Sequence, residues 1–170
     1  MPLTKIQSLG ITDGTIVNAD INASAAIAGT KISGSFGKVL QVVSATDSTN
    51  RQTTSTSFVT ASNTLSVNIT PSSTSNKIFV MVSIGYVYIP SGQNIRITLY
   101  RNNTTNLGST DGFAWFNGIG GESSQNFSVY DSPSTTSSTN YQVYIKASGG
   151  TGEIGSGLIK STITAFEIAA

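Results

Sequence analysis

Eight carboxylates are the side chains of this sequence best suited to acid–base work: Asp13, Asp20, Asp47, Asp111, Glu122, Asp131, Glu153 and Glu167. No two lie within four residues of each other. A glycoside hydrolase needs two carboxyl groups facing one bond, and nothing in this spacing indicates a pair. They read instead as solvated loop residues. The chain has no histidine and no cysteine. That removes the usual general base, the commonest transition-metal ligand, every histidine-containing triad and all thiolate chemistry. Gly118-Ile119-Gly120-Gly121 lacks the following helix that a phosphate-binding loop requires, and Asp111-Gly112 is a lone turn rather than a calcium loop. No catalytic residue, metal ligand or cofactor is expected, and the chain reads as a non-enzyme.

One segment has binding character. Asp111-Gly112-Phe113-Ala114-Trp115-Phe116-Asn117-Gly118 holds the single tryptophan, two phenylalanines and flanking polar groups. Sugar faces stack on exposed aromatic rings while Asp and Asn bond the hydroxyls. Asp111, Phe113, Trp115, Phe116 and Asn117 are therefore a candidate glycan contact. The competing reading sends Phe113 and Trp115 into the core by alternation and packs Phe116 at an interface. Arg96, Tyr100 and Arg101 form a second, weaker candidate surface. Asn-x-Ser/Thr triplets such as Asn68-Ile69-Thr70 follow from a composition rich in Ser, Thr and Asn.

These residues must be positioned by strands. The chain has 170 residues, 38% apolar but only 10% charged, with a net charge of +1. That charged share is well under the usual quarter, so the polar surface comes from Ser, Thr, Asn and Gly. No Lys/Arg cluster exists to neutralise phosphates, which argues against nucleic acid and anionic membranes. No apolar run is long enough for a membrane helix and no signal peptide is evident, so membrane insertion is not expected and the chain reads as soluble as made.

From residue 38 onward the pattern is all-β. Strands are expected over 39–45, 50–60, 65–69, 77–89, 94–101, 107–116, 125–130, 141–147 and 158–168, with a Ser/Thr loop at 131–140 and a glycine-rich turn at 149–157. Eight or nine short strands separated by turns predict a β-sandwich or jelly roll. Strand 77–89 is apolar on both faces: Ile78, Val80, Val82, Ile84, Tyr86 and Tyr88 on one, Phe79, Met81, Val87 and Ile89 on the other. Such a strand is normally covered on both faces, which predicts burial against another subunit. The closing strand is expected to turn Ile163, Ala165 and Ile168 toward a three-fold axis.

Residues 1–36 differ from the rest and predict a separate extended arm before a body at 37–170. Ile6, Ile11, Ile16 and Ile21 fall five residues apart, and Ile27 and Ile32 continue the row. A five-residue step fits neither helix nor strand. It suits a short extended piece followed by a turn, which buries its isoleucines only against copies of itself or a partner. Ala23–Ala28 is too short to stand as a helix, and 33–37 reads as a hinge.

The arm Leu9-Gly10-Ile11-Thr12-Asp13-Gly14-Thr15-Ile16-Val17-Asn18-Ala19-Asp20-Ile21, with Ala25-Ala26-Ile27-Ala28-Gly29-Thr30-Lys31-Ile32, resembles the short repeat stalks of phage tail fibres. The body resembles phage fibre head domains through Gly37-Lys38-Val39-Leu40-Gln41-Val42-Val43, Ile97-Thr98-Leu99-Tyr100-Arg101-Asn102 and Ser161-Thr162-Ile163-Thr164-Ala165-Phe166-Glu167-Ile168. This resemblance implies a virion protein with a trimeric jelly-roll head of the tumour-necrosis-factor-like shape. It implies a homotrimer whose arm docks on other virion proteins and whose head touches a host surface, a glycan included. The chain is short for a tail fibre, which leaves room for a head fibre or a capsid decoration protein. A free carbohydrate-binding module is a further reading, and a glycan depolymerase the least supported.

Overall fold

The computed structural model describes Ile21, residues 39–118 and residues 121–170. Ile21 is exposed in a bend. The rest of the isoleucine row (Ile6, Ile11, Ile16, Ile27 and Ile32), the Ala-rich stretch and the hinge lie outside the described residues. The chain divides between Phe36 and Gly37, and the second unit is described by itself.

The described residues contain eleven strands and no helix: β1 (Val39–Asp47), β2 (Arg51–Thr53), β3 (Ser66–Ile69), β4 (Lys77–Tyr88), β5 (Asn94–Arg101), β6 (Thr105–Asn106), β7 (Ala114–Asn117), β8 (Glu122–Asp131), β9 (Thr139–Ala147), β10 (Gly152–Ile154) and β11 (Ser161–Ile168). They form two antiparallel sheets packed as a β-sandwich. The first sheet runs β1-β11-β4-β8, with β10 and β2 extending it along the far half of β4; the second runs β3-β9-β5, with β6 and β7 on β5.

The pairing is nested. β1 pairs β11, β2 pairs β10, β3 pairs β9, β4 pairs β8 and β5 pairs β7. The chain is one long antiparallel hairpin folded about the turn Asn102–Thr104 and then rolled, so that β11 closes on β4 and β9 on β5. That is the connectivity of a jelly roll. Asn102 and Asn103 at the turn take φ of 50° and 58°, a left-handed region that asparagine tolerates better than other side chains.

Burial follows the two-residue period. Val67 and Ile69, then Ile78, Val80, Val82 and Ile84, then Ile95, Ile97 and Leu99, then Tyr141, Val143 and Ile145 fill the space between the sheets. Ile163 and Ala165 belong to this core at 0% exposure. This corrects the expectation that they face a three-fold axis: Thr162, Thr164, Phe166 and Ile168 point outward instead.

Other strand expectations are corrected too. Of 50–60, only Arg51–Thr53 is a strand, plus an isolated bridge from Val59 to Ile145. Of 107–116, only its end forms β7, and the glycine-rich 149–157 contains β10. On β4 the ladder to β8 shifts between Ile84 and Val87. This bulge swaps the faces, so Val87 and Ile89 are buried while Tyr86 and Tyr88 are half-buried. Gly85 sits in the bulge because a Cβ there would lie 2.5 Å from the Ile159 side chain.

Candidate functional site

Three carboxylates read from sequence as solvated are buried instead: Asp131, Asp47 and Glu167. Asp131, at the end of β8, accepts two hydrogen bonds from Arg101 Nη1 at 2.8 and 3.0 Å and one from the Tyr141 hydroxyl at 2.6 Å. Burial, then that bond to Asp131, pushes the Tyr141 hydroxyl well above the usual phenol range. Asp47, at the end of β1, accepts from the Thr64 and Thr49 backbone N–H groups and from Arg51 Nε, each at 2.9 Å. Burial would raise its carboxyl, but these donors bring it down to about 2. Glu167 is 1% exposed. Among the described residues it pairs with no cation and is held by neutral donors: Gln41 Nε2 at 2.8 Å, Asn76 Nδ2 at 2.6 Å, and Ser72 N and Oγ at 2.6 and 2.7 Å. Burial again opposes ionisation, and the donors from Gln41, Asn76 and Ser72 win, holding it at about 2. A buried carboxylate held by three or four donors ties together the segments that supply them.

The register brings two other acids, Glu122 and Glu153, to opposite sides of Tyr88. Both Glu153 oxygens are taken by the amides of Asn50 and Gln52, at 2.9 Å each. This pairing could not be read from sequence, because the residues belong to strands on opposite flanks of β4.

Two outer faces remain. The outer face of the first sheet is apolar at one end. Register places Val42, Phe166, Phe79 and Tyr130 in one row across β1, β11, β4 and β8. Phe79 and Phe166 have ring centroids 6.2 Å apart. Leu40, Ile168 and Met81 flank the row, and Val42, Met81 and Tyr130 are about half exposed. The next rows are Ser44, Thr164, Met81 and Ser128, then Thr46, Thr162, Ser83 and Asn126. Their short side chains leave a shallow groove of about 390 Å³. Along these four strands, no charged side chain points outward between Lys77 at one end and Glu122 at the other.

The outer face of the second sheet is aromatic and cationic. It joins the two candidate surfaces read from sequence. Trp115 on β7 lies opposite Arg96 on β5, which lies opposite Lys146 on β9. The indole is 55% exposed, and its Nε1 donates to Asn117 Oδ1 at 2.9 Å. The Arg96 guanidinium lies over the indole at 4.6 Å, pairs with Asp111 and donates from Nε to Asn94 Oδ1 at 3.2 Å. Lys146 Nζ donates to the Thr110 carbonyl at 2.8 Å, stands 3.6 Å from Asp111 and lies 4.5 Å over the Phe58 ring. Burial, then the nearby Arg96 charge, lowers the Lys146 ammonium. Tyr100 and Tyr144 stack at 4.1 Å beside Phe58. Gly112 permits the turn that presents Asp111: its φ is +84°, and a Cβ would lie 2.5 Å from the Ile97 carbonyl oxygen.

Arg96 therefore brings Asp111 and Trp115 together, and Asn117 joins them through the indole N–H. Phe113 and Phe116 do not join them. Both pack against the core, Phe113 stacked on Phe127 at 5.1 Å. This corrects their place among the contact residues, since alternation along β7 turns Ala114 and Phe116 inward. Arg101 is likewise spent on Asp131. Lys146 and Phe58 were not foreseen: the β5–β9 register brings Lys146 to Arg96, and the bridge from Val59 to Ile145 brings the neighbouring Phe58 to Lys146. No protein-family profile matches the chain, and no curated protein matches it.

Proposed function

We propose that the chain is a non-enzymatic structural protein of a virus particle: a short homotrimeric phage fibre. In this reading residues 1–36 dock on other virion proteins and residues 37–170 form a head turned toward the host surface. The observation that carries the self-assembly is the outer face of the first sheet. Four strands and eight residues give the whole face on the order of 400 Å² by strand spacing and rise; its apolar end, rimmed by uncharged polar side chains, is the kind of contiguous patch that marks an interaction site. Seven apolar side chains on this face gain nothing in water. Against a second copy they are removed from water, and the hydroxyl rows beside them strand no ion on desolvation. The count of three and the placement on a virus particle rest on the resemblance of arm and body to phage fibres.

Light scattering on the full-length protein and on a chain starting at Gly37 tests this. Trimers in both cases are expected, with the sandwich carrying assembly and residues 1–36 free to dock. A trimer only at full length would move the assembly element to the isoleucine row. Monomers in both cases would overturn the reading.

A further inference from the structure

We propose that the outer face of the second sheet binds an acidic polysaccharide, with a sugar ring on Trp115 and its carboxylate at Arg96 and Lys146. This site is on the sheet opposite the proposed assembly face, so the two stand or fall separately. Three observations converge on it. The indole is the most exposed aromatic ring on this sheet and is held in place by Asn117 on its edge and Arg96 on one face, so the face turned away from Arg96 offers a fixed platform to the C–H face of a pyranose. Two cations face one acid, Asp111, leaving a net positive charge. The contacts to Asp111 and Asn94 use two of the five N–H donors of Arg96.

Beside Arg96 and Lys146 lies a small depression of about 160 Å³, bordered by Thr56, Asn94 and Ser148. Enclosed ligand pockets are about 300–1,000 Å³, so this one is too small for a whole ligand. It suits a single carboxylate on a chain that lies across the open sheet. The bordering hydroxyls and amide match a polyhydroxylated ring. Two cations offset by an acid are too few for the counterion release that nucleic acid binding draws on, which favours a sugar acid over a phosphate backbone.

Trp115 is the only tryptophan, so its fluorescence reads the site directly. The full-length protein is titrated with oligogalacturonate, with neutral dextran and with dextran sulfate, its oligomeric state being followed by light scattering in the same samples. The expected result is a quench and blue shift with oligogalacturonate and none with dextran. Arg96→Gln and Lys146→Gln should each weaken binding about tenfold, as loss of a charge-assisted hydrogen bond does, with an unchanged melting temperature. Calorimetry on Trp115→Ala should show a similar loss. Equal binding of dextran would overturn the role of the cations. Equal binding of dextran sulfate would show bare ion exchange and overturn the sugar-acid site, as would no binding at all. A monomer that still binds oligogalacturonate would leave this site standing and remove the assembly reading.

Discussion

At the scale of single residues, the buried carboxylates were the least legible feature. Glu167 alternates with polar and apolar neighbours in a closing strand, and nothing local marks it as buried. Its donors Ser72 and Asn76 lie 95 and 91 residues away, so only the finished fold reveals them. The consequence can be measured. The Glu167 and Asp47 carboxyls sit at about 2, against ordinary values of 4.5 and 3.8. Folded values below unfolded ones mean that both groups stabilise the fold fully above the ordinary values. That contribution drains away as pH falls through them toward 2, by roughly 2–3 kcal/mol for each group. Chemical denaturation should show stability level above about pH 5 and falling steeply below it. Glu167→Gln places a donor among donors. It should cost about 1–3 kcal/mol at neutral pH and flatten part of the acid limb. An acid limb unchanged in this variant would remove Glu167 from the account.

Among the elements, those with a clean alternation were readable. β3, β4, β5 and β9 lie within a residue or two of the expected spans, because the apolar side of each is a continuous core row. β2, β6, β7 and β10 were missed or misplaced. They are two to four residues long, too short for a period to show, and pairing with a longer neighbour makes them strands. The bulge at Gly85-Tyr86 escaped for a related reason: a parity change exists only relative to the partner β8. The same parity argument separates neighbours on β11. Ile163→Ala removes a fully buried side chain and should cost about 2–5 kcal/mol in a denaturant titration. Phe166→Ser faces outward. It should cost the sandwich about 1 kcal/mol or less and instead lower the mass seen by light scattering. Equal destabilisation by the two would contradict the assigned faces.

Across the whole molecule, the nested pairing puts the two ends of the sandwich side by side, Val39 opposite Ile168. The all-β reading was accessible from sequence because every segment of the body favours strands. The nesting was not, since nothing local says which strands pair. It implies that a chain joined by a short linker from residue 170 to residue 39, and opened within the exposed loop at Thr135-Thr136, should fold to the same sandwich. Near-native circular dichroism and a melting temperature within several degrees would show it; an unfolded product would mean that the β8–β9 connection is needed for folding. The same adjacency sets how the body would respond to mechanical load. Tension applied between Val39 and Ile168 pulls β1 from β11 in the direction that opens a zipper, so its rungs break one after another at low force. Tension entering at Val39 and leaving through Trp115 crosses both sheets and must slide strands lengthwise, loading many rungs together. The body would peel easily when pulled by its own two ends and resist when pulled between its first strand and something held on its far face.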